Sequence, residues 1–319
     1  MIHTRIYYCC DVHGSETCFR KILNAVKYNI YNASVVIVSG DLTGKMIVPI
    51  VKNTNGTFKT KFLGSEILIK SNNQLNEVAK QISDCGYYPY IATVNEVEEI
   101  KENRKRFAEL FSNLVVKRIE EWIQLAEERL KGKHVKFFMV PGNDDDPRIA
   151  KILEHSNVIA YPENKVVTLD DFHEMISIGA TNITPWRTYG EFTEEELAKK
   201  IDDLTSKVRN ISNCVFNFHC PPFDSGLDLA PKLNEEFQPI IVGGEILKVP
   251  VGSTAVRQAI EKYQPKLGLF GHIHESPGDV YIGRTLCLNP GSEYSEGILR
   301  GYIIDVDKEK ILRYYRVEG

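Results

Sequence analysis

Several features are missing from this sequence, and each absence excludes a class of protein. Its apolar runs reach only about half a dozen residues, far short of the ~20 that a membrane-spanning helix needs. The start of the chain has neither an apolar signal core nor a small-residue cleavage site. No repeat or low-complexity tract is present, and 43% hydrophobic with 26% charged residues is an ordinary globular composition, which excludes disordered, collagen and coiled-coil proteins. We therefore expect a cytoplasmic protein that has no membrane partner.

Paired cysteines and an excess of basic charge are also missing. The seven cysteines are an odd number and contain no C-x-x-C pair, so they predict neither a disulfide framework nor a cysteine zinc site. The 39 Lys and Arg residues against 43 Asp and Glu residues give a net charge of −4. Because electrostatic nucleic-acid binders are basic, we expect nucleic acid not to be the partner.

Short apolar runs predict buried strands, and helical patterns lie between them. The runs are 5–10, 35–39, 135–140, 214–218 and 266–270. The helix signals are the spacing of Phe19, Ile22, Leu23, Val26 and Ile30 after Ser15, the Thr193–Glu196 capping box, and Ser253. Four later runs, 280–282, 285–288, 301–306 and 311–317, indicate a β-meander. We predict an α/β fold in which two mixed β-sheets pack as a sandwich flanked by helices, with an inserted subdomain.

The insertion is predicted from one segment that is too long for the alternation. About 100 residues separate Asp41 from Asn143, where a single crossover needs roughly 30. Asn55-Gly56 predicts a hairpin there, and helical patterns follow over 74–84 and 95–130. We assign 45–106 to the insertion, and 1–44 with 107–319 to the core. The insertion is expected to act as a surface contact in a homo-oligomer, or as a cap over the substrate site.

Five polar clusters each follow one of the first five apolar runs. They are Asp11-Val12-His13, Gly40-Asp41, Pro141-Gly142-Asn143, His219 and Gly271-His272-Ile273-His274. Ligand sites in open α/β sheets lie beyond the carboxyl ends of the strands, so we expect all five clusters at one edge of the sheet. The glycines before Asp41, Asn143 and His272 would let the backbone turn sharply there.

The donor types in these clusters favour metal ions. Two Asp, one Asn and four His supply oxygen and nitrogen but no thiolate. Seven donors exceed the three or four of a single zinc site and suit two ions that share a bridging carboxylate. Two such ions can drive an in-line displacement at phosphorus. Each motif alone also has a structural explanation, such as a turn at Gly40-Asp41 or a core histidine at His219.

The ordered set D-x-H, GD, GN, H and GHxH, from Asp11 to His274, resembles the calcineurin-like metallophosphoesterase superfamily. Shorter matches look most like its branch related to class III cyclic-nucleotide phosphodiesterases; they are Thr184-Pro185-Trp186, His219-Cys220-Pro221-Pro222 and Asn289-Pro290-Gly291-Ser292. The resemblance implies an αββα sandwich and hydrolysis of a small-molecule phosphoester, a phosphodiester ahead of a monoester.

The resemblance also implies a role for each donor. Asp11, His13 and His274 would hold one divalent ion, and Asn143, His219 and His272 would hold the second. Asp41 would bridge both ions, and a metal-bridging hydroxide would be the nucleophile. The ions would be manganese, iron or zinc, all of which accept these donors.

The sequence departs from the family at Asp144, where a catalytic histidine usually follows GN. Cations nearby would keep this carboxylate ionised, so a direct replacement as general acid is not expected. The proton would then come from a metal-bound water or from another histidine, or a good leaving group would need none. Asp145 and Asp146 are expected to be structural, at the start of a helix. Arg187 is a candidate phosphate ligand, with a surface role as the alternative.

Two other functions also fit the sequence. The change at Asp144 would also fit a non-catalytic scaffold of the same fold, although every metal donor is retained. A nuclease would need a basic surface, and the run Lys101 to Arg106 is the best candidate for one.

Overall fold

The computed structural model describes residues 3–319, so Met1 and Ile2 of the predicted core segment lie outside it. Two β-sheets form its centre. The strands of the first sheet are β1 (Thr4–Cys10), β2 (Val35–Ser39), β7 (Lys136–Val140), β20 (Arg300–Val306) and β21 (Ile311–Glu318). They lie in the order β21-β20-β1-β2-β7. β1, β2 and β7 are parallel, and β20 is antiparallel to both of its neighbours.

The second sheet repeats this mixed arrangement. Its strands are β8 (Val166–Thr168), β9 (Glu174–Ile178), β12 (Val215–Phe218), β17 (Leu267–Leu269), β18 (Gly278–Ile282) and β19 (Thr285–Asn289). They lie in the order β18-β19-β17-β12-β9-β8. The four middle strands are parallel, and the two outer strands are antiparallel to their neighbours.

Alternating side chains pack the two sheets face to face. Ile6 and Tyr8 point to one side of β1, into a core shared with Leu267 and Leu286 of the second sheet. The other face of the first sheet packs on helices α1 (Glu16–Lys27), α4 (Arg104–Leu130) and α5 (Arg148–Glu154). The outer face of the second sheet packs on α6 (Glu194–Thr205) and α7 (Thr254–Tyr263). The αββα sandwich predicted from the sequence is confirmed.

The predicted helix caps are also found. The Ser15 hydroxyl accepts a hydrogen bond from the backbone N–H of Cys18 at 3.3 Å, and Thr193 with Glu196 forms the reciprocal box at the start of α6. The Ser253 hydroxyl caps α7 as the Ser15 hydroxyl caps α1, without a reciprocal partner. One detail is wrong: α1 ends at Lys27, so Ile30 lies beyond the helix and is exposed.

Residues 47–92 form a third sheet with a small core of its own. Its strands are β3 (Ile47–Lys52), β4 (Phe58–Phe62), β5 (Ser65–Ile69) and β6 (Tyr88–Ala92), with α2 (Asn72–Asp84) between the last two. The Asn55-Gly56 hairpin is confirmed between β3 and β4. The continuous helix over 95–130 is wrong, because α3 (Val94–Glu102) ends where the Asn103 side chain caps α4 by accepting from the Arg106 N–H. The division of the chain at 45 and 106 stays a prediction.

The predicted C-terminal meander is wrong in its pairing. Its four strands exist, but β18 and β19 belong to the second sheet, whereas β20 and β21 belong to the first. Apolar patterning predicts that a strand forms, but it does not predict which strand it pairs with. After Asn289 the chain crosses from the second sheet to the first. Among residues 3–319, no helix is both long and apolar enough to cross a membrane.

Three short strand pairs complete the fold. They are β10 (Thr181–Asn182) with β11 (Glu191–Phe192), β13 (Leu229–Pro231) with β16 (Lys248–Pro250), and β14 (Ile241–Val242) with β15 (Glu245–Ile246). The last two pairs lie in the connection between β12 and α7. The Asp228 carboxylate supports this connection by accepting hydrogen bonds from the backbone of Asp224 and Gly252.

Candidate metal centre

The predicted donors come together where the strands of both sheets end. Asp11 follows β1, Asp41 follows β2 and Asn143 follows β7; His219 follows β12, and His272 and His274 follow β17. The first three strands belong to one sheet and the last two to the other. The expectation of one sheet edge is therefore corrected: the donors lie at the carboxyl ends of two facing sheets.

One group of donors contains Asp11, His13 and His274. A ligand atom from each lies within 4.8 Å of the others. The Nε2 atoms of His13 and His274 are 3.1 Å apart, and Asp11 Oδ1 is 3.5 Å from His274 Nε2. These are the distances of side chains that converge on one point.

A second group contains Asp41, His219 and His272, again with ligand atoms within 4.8 Å of one another. Asp41 Oδ1 is 3.5 Å from His219 Nε2, while Asp41 Oδ2 is 3.6 Å from His13 Nε2 in the first group. Asp41 therefore faces both groups, as a bridging ligand would. Asp11 also approaches the second group, with Oδ1 3.8 Å from His219 Nε2.

Buried atoms without partners indicate that these groups fit metal ions. Asn143 is 3% exposed and its Nδ2 donates to Thr188 Oγ1 at 2.7 Å, but its Oδ1 accepts no hydrogen bond. Both ring nitrogens of His219 are equally without a hydrogen-bond partner. A buried polar atom left in this way costs about 1–3 kcal/mol, which a bound cation would offset. The role of each residue as a ligand stays a prediction.

The backbone around the donors is held in an uncommon conformation. Four donors have positive φ, a region that residues other than glycine rarely adopt: Asp11 (53°), His13 (41°), Asp41 (27°) and His272 (65°). Each such residue costs about 1–3 kcal/mol and such strain concentrates at functional sites. Two predicted glycines are needed for close approach, because a Cβ at Gly40 would collide with the His219 ring and one at Gly142 with Asp41.

Charge and burial set the protonation of the donors. Burial works against ionisation of Asp41, but the adjacent His219 outweighs it and holds the pKa of Asp41 well below its usual range. Burial disfavours a charged His219 as well, yet Asp41 and Asp11 raise its pKa to about 9. Burial lowers the pKa of His13 to about 3 and that of His272 to about 4. His13 and His272 are therefore neutral at pH 7, as metal ligation requires, whereas His219 would release a proton when a metal ion binds.

Asp144 lies beside the second group and pairs with a lysine that the sequence did not single out. Its backbone N–H donates to Asp41 Oδ1 at 3.1 Å, and its Oδ2 is 3.4 Å from Lys45 Nζ. Burial and Asp41 raise the pKa of Asp144, and the Lys45 ammonium opposes that rise. Lys45 is the first residue of the predicted insertion, and no spacing rule marks it.

A cleft of about 970 Å³ opens onto the donors. Asp41, Asn143, His272 and His274 line it, together with Lys45 and Asp144. Arg187 is exposed and lies outside the lining, although its neighbours Trp186 and Thr188 belong to it. The four histidines outside the two groups, His3, His134, His155 and His173, are also absent from the lining as described over residues 3–319.

Comparison with known proteins supports the fold. No family model matches the chain. The uncharacterised protein MJ1162 of Methanocaldococcus jannaschii is 30% identical over 159 residues, which cover 49% of this chain and 64% of that protein, less than two thirds of its length. A solved crystal structure superposes with a TM-score of 0.58 at 16% identity, over 99% of both chains. The protein TT1561 of Thermus thermophilus gives 0.54 at 14% identity, over 100% of this chain and 99% of that one.

A more distant structure is the phosphoesterase YfcE of E. coli, with a TM-score of 0.31 at 10% identity over 98% of each chain. Similarity this low supports no inference. The solved structures therefore bear on the fold alone, and the function depends on the site.

Proposed function

We propose that the protein is a phosphoester hydrolase that uses two divalent cations and acts on phosphodiesters ahead of phosphomonoesters. The observation that carries the proposal is the convergence of the two donor groups, with Asp41 facing both, beside an open cleft that four of the seven donors line. Imidazole, carboxylate and amide donors suit manganese, iron or zinc. The substrate would be a small phosphoester in the cytoplasm, and residues 45–106 would cap the site or join two copies of the chain.

Each donor would hold an ion in the way the two groups suggest. Asp11, His13 and His274 would bind one ion, Asn143 and His219 with His272 the other, and Asp41 both. When bound, the ions supply Lewis acidity, which acidifies a water and neutralises negative charge on the phosphoryl oxygens.

Lys45 would bind the substrate directly. Its ammonium lies 3.4 Å from Asp144, lines the same cleft as the donors and is 45% exposed, so it can reach a phosphoryl oxygen. Asp144 would orient that ammonium. Within the described chain, His272 and His274 are the histidines that line the cleft, and both are proposed metal ligands, so no histidine is left there to protonate the leaving group. We therefore expect aryl esters, whose leaving oxygen needs no proton, to react faster than alkyl esters.

Hydrolysis of bis-p-nitrophenyl phosphate with added Mn²⁺ tests the proposal. We expect turnover by the wild type and its loss in Asp41→Ala and in His219→Ala. His134→Ala is the matched control, because His134 is exposed and outside the cleft. If both site variants match the wild type, the site assignment is wrong.

The two alternatives give different results with the same protein. A scaffold would bind metal and remain inactive on a broad panel of phosphoesters. A nuclease would retain DNA or RNA on a filter at low salt and release it steeply as the salt concentration rises.

A further inference from the structure

Beyond the donors, much of the cleft lining is apolar. Ile183, Trp186, Phe223, Leu233, Val249 and Pro250 all contribute to it. The metal centre and this wall thus belong to one continuous cavity, of a volume that suits a ligand much larger than phosphate. The rest of the substrate is therefore expected to contact the wall.

Trp186 is the prominent feature of the wall. It is 63% exposed and stacks on Phe237, which is 52% exposed, with ring centroids 5.4 Å apart and planes inclined by 28°. Two large aromatic side chains that stack on each other yet stay more than half exposed leave apolar surface without a protein partner. A flat ring of a ligand can stack on this aromatic surface, whereas a flexible chain cannot.

The loop that carries Trp186 is fixed to the metal centre. The Glu191 carboxylate accepts hydrogen bonds from the backbone N–H groups of Thr184 (2.9 Å) and Thr188 (2.8 Å), and so closes the loop on both sides of Trp186. The Thr188 hydroxyl accepts from Asn143 Nδ2 at 2.7 Å, and the Gly190 N–H donates to the Asn143 carbonyl at 2.9 Å. Trp186 is therefore held at a set position relative to Asn143, which pre-organises the two for one ligand.

Resting on the proposed function, we propose that the cleft takes a phosphoester whose organic group is a flat aromatic ring system stacked against Trp186. Trp186 is then a specificity-determining residue. It contributes affinity for the organic group, while the donors and Lys45 bind the phosphoryl group. A purely aliphatic or small organic group would leave the stacking face unused.

Binding of non-hydrolysable phosphonates tests this without turnover. Isothermal titration calorimetry would compare methylphosphonate, octylphosphonate and naphthylmethylphosphonate on the full, Mn²⁺-loaded chain. We expect the naphthyl ligand to bind about 10-fold or more tightly than the other two, the range of one aromatic stacking contact. Trp186→Ala should abolish that gain, lowering naphthyl affinity far more than methylphosphonate affinity, and Trp186→Phe should restore most of the gain.

Tyr28→Ala is the matched control, since Tyr28 is 66% exposed and lies outside the cleft lining. Equal affinity for the naphthyl and methyl ligands, octyl binding as tight as naphthyl binding, or equal losses of all three in Trp186→Ala would overturn the inference. Absence of metal-dependent hydrolysis by a wild type that still prefers the naphthyl ligand would instead refute the proposed function alone.

Discussion

Lys45 places a positive charge beside three carboxylates, those of the donors Asp11 and Asp41 and that of the neighbouring Asp144. Burial lowers the pKa of Lys45, but Asp41 and Asp144 outweigh it and raise the pKa above its usual value, so the ammonium is retained. With two divalent cations bound, the site would carry net positive charge, which favours an anionic phosphoester.

Replacing Lys45 with glutamine keeps the side-chain length and removes the charge. We expect hydrolysis of bis-p-nitrophenyl phosphate to fall about 10- to 100-fold, the value of one hydrogen bond to a charged group. Bound metal should be unchanged, and Lys45→Arg should retain most of the rate. Lys59→Gln, at an exposed position of β4, is the control. Wild-type rates in Lys45→Gln would remove Lys45 from the site.

At this scale the sequence was informative about donors and uninformative about their neighbours. The convergence of Asp11, Asp41 and His219 could be predicted because each lies within two residues of the end of an apolar strand. The roles of Lys45 and Glu191 could not be predicted. Lys45 pairs with Asp144, about 100 residues further along the chain, and Glu191 acts by closing the loop that carries Trp186. Short spacing rules carry no information on such contacts.

At the scale of elements, Asp145 joins the two loops that carry Asp41 and Asn143. Its buried carboxylate accepts hydrogen bonds from the backbone N–H groups of Leu42, Thr43 and Gly142, each at 2.8 Å. It thus fixes the end of β2 against the end of β7. The structural role predicted for Asp145 fits these contacts, but Asp145 acts by joining two loops and not by starting a helix.

Asp145→Ala would leave three backbone donors without an acceptor. We expect the free energy of unfolding to fall by at least about 3 kcal/mol, as measured by urea denaturation. Asp145→Asn should be less harmful because one oxygen remains. Asp171→Ala, at an exposed position, provides the comparison. An Asp145→Ala protein as stable as the wild type would show that these loops do not depend on the carboxylate.

Glu163, in the segment between α5 and β8, makes the stability of the fold depend on pH. Burial raises its pKa to about 7, although the Gly179 N–H donates to Oε2 at 2.9 Å and partly opposes the rise. The folded chain therefore binds this proton more tightly than the unfolded chain, whose glutamate pKa is near its usual 4.5. The contribution to stability is complete below that value and is lost as the pH rises towards 7.

Glu163→Gln removes this titration and keeps an oxygen for the Gly179 N–H. We expect the melting temperature of the variant, relative to the wild type, to increase between about pH 5 and about pH 8. Glu127→Gln, on the exposed face of α4, should show no such trend. If the difference in melting temperature between Glu163→Gln and the wild type were constant with pH, Glu163 would ionise as freely in the folded chain as in the unfolded chain.

In the whole molecule, the candidate metal centre depends on both sheets. Two strands of one sheet and two of the other supply the six donors of the two groups, so the sandwich must be assembled before the groups can form. Apolar runs predicted the strands and the four layers. They could not predict that β18 and β19 pair away from β20 and β21, because all four carry similar patterns and register is set by tertiary packing.

Stoichiometric metal binding would decide whether the two donor groups hold ions. The chain, stripped with a chelator, would be titrated with Mn²⁺ while bound metal, melting temperature and hydrolysis of bis-p-nitrophenyl phosphate are followed together. We predict two ions per chain, one for each donor group, with activity rising on occupancy and a gain in stability of about 2.7 kcal/mol for each ion when free metal is 100 times its dissociation constant. A chain that binds no divalent ion, or that hydrolyses the ester equally well in excess chelator, would show that the donor groups do not form a catalytic metal site.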